Sequence, residues 1–233
     1  MAVSREKFKT YGSVFDEKTI LALQRLEGRG VFNELLSPIS VGKESNVFSA
    51  ETNNGVVCVK IYRLNTCDFH KMYKYISQDR RFNGVQKRRR AVVFAWCRRE
   101  FRNLKVAHKL KVNVPKPIAF FENVLVMEYL GDKNGSFKLR ESNFEVRKYS
   151  KIVLSDLQKL YQKCKLVHGD LSEFNILDFK NKPYIIDFSH GMKLDYPNVE
   201  EYLERDVKTI MTFFNRRGCK LEFNHLIEEI KNG

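Results

Sequence analysis

An α+β fold in two lobes is predicted by three observations. Strand-type apolar segments dominate the chain as far as Leu130, helix-period segments dominate the remainder, and Gly131 and Gly135 mark a linker between them. The chain has 233 residues, 43% of them hydrophobic, enough for one large domain or two small lobes, which excludes disordered and fibrous classes. Such a layout is expected to leave a cleft at the junction, where small-molecule sites tend to lie.

The first element is a short helix: Asp16, then Ile20, Leu23 and Leu26, then Gly28 and Gly30, give an N-cap, an apolar stripe and a glycine stop. SPISVGKESNVFSA reads as one strand interrupted at Gly42, Asn54-Gly55 as a tight turn, and VVCVKIYR as a second strand. From Asn65 to about Ala91 the chain is polar, mostly basic and poorly periodic, which predicts a long mobile loop ending at QKRRR. Val93, Trp96, Cys97, Phe101, Leu104 and Leu110 then recur at helical spacing, predicting a long amphipathic helix that Pro115 and Pro117 end. PIAFFENVLVMEYLGD reads as a hairpin turning at Glu122-Asn123. A helix is expected over 144–164, two polar loops beside short apolar strands in KLVHGDLSEFNIL and KPYIIDFSH, and closing helices over about 198–217 and 223–231. The expected divisions are a helical N-terminal segment (1–38), a first lobe of sheet plus long helix (39–130, with the basic loop at about 65–91) and a mostly helical second lobe (131–233).

The charge is uneven. Lys and Arg number 42 against 28 Asp and Glu, a net +14, and the stretch from Lys60 to Lys111 alone holds 16 basic and three acidic residues. That concentration favours a polyanionic partner over a merely solvated charged face. Five cysteines, odd in number and without a CxxC pair, argue against a disulfide framework or zinc site and for reduced thiols. MAVSREKFKT has no apolar signal core and no segment has the length of a membrane span, so a soluble, cytoplasmic protein without a membrane partner is expected.

Four segments converge on phosphoryl transfer. HGDLSEFN (168–175) fits H-x-D-L-x-x-x-N, in which the aspartate, Asp170, orients or deprotonates an attacking hydroxyl and the asparagine, Asn175, binds a metal. Asp187 comes next in YIIDFSH, where an apolar strand releases a carboxylate into a loop. Magnesium is a hard cation that takes oxygen ligands, a few from protein and the rest from phosphate and water, and Asn175 and Asp187 supply that chemistry. In VCVK, Lys60 ends an apolar run where an unpaired ammonium would be costly, so an anionic partner is expected, with Glu100 on the long helix steadying it. VGKESNVF has one glycine, not the three of a dinucleotide fingerprint, yet its backbone amides and Lys43 can cap phosphates.

The order VGKESNVF, VCVKIYR, EFRNL, VLVMEYL, HGDLSEFN, IIDFSHG and YLERDV resembles the RIO family of atypical serine/threonine protein kinases, its type-one subfamily in particular, over residues 14–232. The resemblance implies a two-lobed protein-kinase-like fold with a truncated, mostly helical C-terminal lobe. It implies ATP and magnesium, with manganese as an alternative metal. Asp170 would be the catalytic aspartate, Asn175 and Asp187 the metal ligands, and Lys60 the phosphate-contacting lysine paired with Glu100. Ser40, Gly42 and Lys43 would form the phosphate loop, and Glu128 and Leu130 the backbone hinge for adenine. It further implies autophosphorylation, an aspartyl phosphate on Asp187, ATPase activity, and a role in small ribosomal subunit maturation, with Lys87, Arg88, Arg89 and Arg90 on ribosomal RNA. Nearly 40 residues before the glycine loop leave no room for the winged helix of type two, and no tail is expected beyond the lobes, as in compact archaeal forms.

Departures accompany the resemblance. Ser172 stands where most protein kinases have a lysine, Ser189 where they end a D-F-G triplet, and no A-P-E segment comes after it. The alternatives are a small-molecule kinase of the aminoglycoside or choline type, which shares H-G-D-x-x-x-x-N and an I-D-F strand, and a nucleotide-switched RNA-binding assembly factor with little catalysis. The oligomeric state is left open.

Overall fold

The computed structural model describes residues 15–132 and 135–232. They form two compact units: residues 15–77, 84–101 and 117–129 make the first, and 78–83, 102–116 and 130–232 the second.

The first unit opens with α1 (Glu17–Gly28), capped as its sequence predicts: Asp16 accepts from the Thr19 backbone N–H at 3.1 Å and from its hydroxyl at 2.8 Å. Next comes a five-stranded antiparallel sheet, built from β1 (Glu34–Val41), β2 (Ser45–Thr52), β3 (Gly55–Tyr62), β4 (Pro117–Phe121) and β5 (Val124–Glu128) in the order β1-β2-β3-β5-β4. The expected single strand around Gly42 is thus two strands. Gly42 does not interrupt a strand but forms the turn between them, its N–H bonded to Ser45 O at 3.0 Å. A Cβ at Gly42 would sit 3.1 Å from that oxygen, so the turn is tight because a hydrogen is there. The β4–β5 hairpin turns at Glu122, which takes a positive φ of 51°, as anticipated. α1 lays Ala22, Leu23 and Leu26 on the sheet with Phe32, Phe48, Val59, Val124 and Val126, forming the core.

The expected long loop at 65–91 is a second correction. It contains α2 (Phe69–Ser77) and a 3-10 turn at Arg80–Phe82, with Met72, Ile76 and Phe82 buried. α3 (Arg89–Lys109) matches the predicted long helix and begins within the basic cluster itself.

The second unit holds α4 (Val146–Gln162), α5 (Val199–Arg216) and α6 (Phe223–Asn232), with the short strands β6 (Phe137–Lys138), β7 (Leu166–Val167), β8 (Ile176–Phe179), β9 (Lys182–Ile185) and β10 (Met192–Lys193). β6, β8 and β9 form one sheet, β10 and β7 another. The predicted boundary at 130/131 falls beside the observed change of unit after Tyr129, but residues 78–83 and 102–116 join the second unit instead of the first. Hydrogen bonds explain this: Asn113 donates its amide and N–H to Asp156 on α4, Ile185 N–H donates to Asn113 O, and Tyr196 donates to Gln78. The predicted helical segment 1–38 also includes the start of β1, and its residues 1–14 lie outside the described residues. Among the described residues no helix is long and apolar enough to cross a membrane.

Candidate active site

In the first unit, Lys60 stands on β3 opposite Val47 of β2 and Leu125 of β5, so a lysine occupies the interior of a sheet. It is 5% exposed, and its ammonium lies 3.0 Å from Glu100, which is fully buried on α3. The Tyr62 hydroxyl donates to the other Glu100 oxygen, so both carboxylate oxygens are engaged. The expected pair is therefore formed. Its surroundings are apolar: burial pushes the Cys58 thiol up to about 12, against the opposing pull of Lys60, and burial likewise raises Cys97. All five cysteines are free thiols, and these two are held in the unreactive protonated form. Ser40 is exposed on β1, paired with Val47, while Gly42 and Lys43 occupy the β1–β2 turn. Glu128 ends β5 opposite Val57 with its side chain exposed; Leu130 is buried in the second unit.

In the second unit, the candidate metal ligands flank one hairpin. Ile176 of β8 pairs with Ile185 of β9, and the ladder is extended by Ile186 N–H donating to Asn175 O at 2.9 Å. Asn175 thus enters the hairpin where Asp187 leaves it. The Asn175 amide N–H donates to Asp170 O at 2.7 Å, which ties the candidate base to the candidate ligand and leaves the asparagine oxygen directed elsewhere. Asp187 adopts a left-handed conformation, φ 62° and ψ 64°, which costs a non-glycine residue on the order of 1 kcal/mol and is tolerated where the surroundings impose it. Ser189, at the position where a D-F-G glycine would stand, donates its hydroxyl to Asp187 Oδ1 at 2.7 Å. The departure thus fixes the carboxylate's orientation.

Four residues hold this site whose roles sequence reasoning did not assign, although each lies in a quoted segment: His168, Asp206, Arg205 and Asn103. His168 is buried; Nε2 contacts Ile186 O at 2.9 Å and Nδ1 accepts from Asp170 N–H at 3.3 Å. Asp206 on α5 accepts from Gly169 and Leu171 N–H, and Arg205 donates to Gly169 O. Asn103 on α3 donates to Phe188 O at 3.0 Å and Gly191 O at 2.8 Å while accepting from Arg81 at 2.6 Å. Asn103 and Asp206 lie in the quoted segments EFRNL and YLERDV, and a polar residue in the buried phase of an amphipathic helix is the physical signal that could have singled them out. Gly169, at φ +78°, has no space for a Cβ, which would meet His190 O at 3.0 Å.

Two hard oxygen donors beside a tethered aspartate fit a divalent cation shared with phosphate oxygens. The basic cluster is only partly free. Lys87, Arg88, Arg89 and Arg90 are all exposed, but Arg89 donates to the carbonyls of Asn65 and Cys67, so it also anchors the start of α3.

Fold and site together define a protein-kinase-like phosphotransferase. The family model described as the RIO domain matches residues 46–226, and the chain belongs to that family. It is 38% identical to the RIO-type serine/threonine-protein kinase Rio1 of Haloferax volcanii, over 96% of this chain and 78% of that protein. The Rio1 kinase of Methanocaldococcus jannaschii is also 38% identical, over 97% and 78%. Among solved structures, the Rio2 kinase of Chaetomium thermophilum in its ADP/Mg2+-phosphoaspartate complex aligns with TM-score 0.64 and 25% identity, over 92% of this chain and 66% of that one.

Proposed function

We propose that the protein is an ATP- and magnesium-dependent RIO-type serine/threonine protein kinase with ATPase activity, acting in maturation of the small ribosomal subunit. The observation that carries the catalytic part is the hairpin bracketed by Asn175 and Asp187, with Asp170 tethered to Asn175. In this reading Asp170 accepts the proton of the attacking hydroxyl, Asn175 and Asp187 hold the cation, and Lys60, steadied by Glu100, takes the nucleotide phosphates. Bound magnesium would neutralise charge on the phosphates. Gly42 and Lys43 contribute amides and a cation to the same anion, and the backbone at Glu128 and Leu130 takes adenine.

The Asp187 carboxylate is also the proposed phosphoacceptor: an oxygen of Asp187 bonds to the γ-phosphorus, the bond to the β,γ-bridging oxygen breaks, ADP leaves, and water later releases phosphate. The phosphoaspartate of the Rio2 structure supports this reading. The basic cluster at Lys87–Arg90 supports ribosomal RNA as the partner, and a cytoplasmic setting belongs to the same reading.

The test is labelling with γ-labelled ATP. Label released by hydroxylamine and lost in Asp187→Ala is expected; label on serine alone, stable to hydroxylamine, overturns the aspartyl route. Turnover by Asp187→Ala at the wild-type rate overturns the site.

A further inference from the structure

We propose that Phe137, Lys138, Arg140 and Phe174 form an acceptor-docking surface that selects a polypeptide segment carrying an acidic side chain. The inference rests on the kinase reading above and names the substrate class of that site.

Phe174 lies in the 3-10 turn Glu173–Asn175, directly before one candidate metal ligand and shortly after Asp170. Phe174 is 42% exposed and Phe137 on β6 is 44% exposed, so two large apolar residues face water in the same part of the unit as the candidate catalytic segment. β6 and the turn Leu139–Glu141 pack against the Glu173–Asn175 turn. This brings the Arg140 guanidinium 5.0 Å from the Phe174 ring centroid and the Lys138 ammonium to 6.0 Å. Glu141 and Glu173 sit on the same two turns, yet among the described residues no ion pair joins either cation to a carboxylate.

Two exposed rings with two unneutralised cations suit a ligand that is apolar in part and negative in part. The acidic neighbours Glu141, Glu173 and Asp178 would repel a continuous polyphosphate backbone but tolerate a single carboxylate aimed at Arg140. The excess of basic residues lies in the stretch from Lys60 to Lys111 and not here, so a peptide fits this surface better than RNA does. The fold gives a reason for such a surface. Only residues 188–198 separate Asp187 from α5, which is too short a stretch to form a long loop that grips an acceptor.

The test uses fluorescein-labelled serine peptides differing only in glutamates or lysines beside the serine, with binding to the full chain read by anisotropy without nucleotide. Wild type is expected to prefer the acidic peptide by roughly fivefold or more. Lys138→Glu with Arg140→Glu should invert that ratio, Lys138→Gln with Arg140→Gln should bring it near one, and Phe174→Ala should weaken the acidic peptide. Equal affinities in wild type, or a ratio unmoved by the glutamine pair, overturns the proposal. So does a single-stranded RNA oligomer that displaces the peptide and depends on Phe174, which would assign the surface to nucleic acid. Because the ratio uses no ATP, failure of the kinase reading appears separately, as absent γ-phosphate transfer with the ratio intact.

Discussion

The Asp206 carboxylate holds the chain on both sides of Asp170: it accepts from Gly169 N–H at 2.7 Å and from Leu171 N–H at 2.9 Å. The candidate base is thus positioned by a carboxylate on another element, which makes Asp206 a positioning residue. Asp206→Asn replaces one acceptor oxygen with a donor that faces an N–H, so kcat is expected to fall at least tenfold while nucleotide affinity changes little. Steady-state kinetics and nucleotide binding measured side by side check this.

The same residue gives a pH dependence. Burial is the largest influence on Asp206 and raises its carboxyl above the ordinary 3.8, against the opposing pulls of His168, the two backbone N–H groups and Arg205. The folded state therefore holds this proton more tightly than the unfolded state. Its contribution is fully present below the unfolded value and is lost as pH rises through the folded one. Urea unfolding from acid to neutral pH should show wild-type stability falling relative to Asp206→Asn as pH rises. A constant difference would contradict the shift.

Lys60 and Glu100 form a buried pair, and such pairs cost more to break than to replace. Glu100→Ala should destabilise by about 3 kcal/mol, whereas Lys60→Met with Glu100→Leu should recover much of that stability. Both variants should lose phosphoryl transfer. Denaturant midpoints together with labelled-ATP turnover separate the structural role of the pair from the catalytic one.

Gly191 and Asn103 should be energetically coupled. A Cβ at Gly191 would lie 2.7 Å from Asn103 Nδ2 and 3.1 Å from Phe188 O. Gly191→Ala is expected to cost about 1–3 kcal/mol through overpacking. Asn103→Ala removes one clash and three hydrogen bonds, so the double variant should be more stable than the sum of the singles predicts, by about 1 kcal/mol. Additive losses would mean that the amide does not oppose the added methyl.

For the basic cluster, the expected result depends on Arg89 being engaged with Asn65 and Cys67. Lys87→Ala, Arg88→Ala and Arg90→Ala together should flatten the salt dependence of RNA binding by ~2 units in log affinity against log salt. Arg89→Ala should instead lower thermal stability. An unchanged slope in the triple variant returns the cluster to a solvated face.

The hairpin and the two candidate ligands that flank it are legible in sequence because each lies where an apolar run meets a polar motif of fixed spacing. α2 is not legible, since its buried face consists of Met72 and Ile76 alone among basic and aromatic residues, too short a stripe to register as a period. The two strands around Gly42 merge in sequence because a close backbone approach leaves no compositional mark beyond one glycine. Asp206 and Asn103 escape for another reason: each belongs to the buried stripe of its helix, beside Val207 and Leu104, and only the partner across the fold reveals its work.

The interleaving of the two units also governs how the chain can be taken apart. Their boundaries cross the sequence repeatedly, and α3 gives its residues up to Phe101 to one unit and those from Arg102 onward to the other. No single peptide bond separates the halves. A single cut before residue 78 divides the first unit alone, a cut after Tyr129 divides the second alone, and a cut between those points divides both. Limited digestion between residues 78 and 129 should therefore end in rapid degradation of both fragments, since neither holds a complete unit. Expressing residues up to Tyr129 by themselves would strand residues 78–83 and 102–116 without the unit they complete.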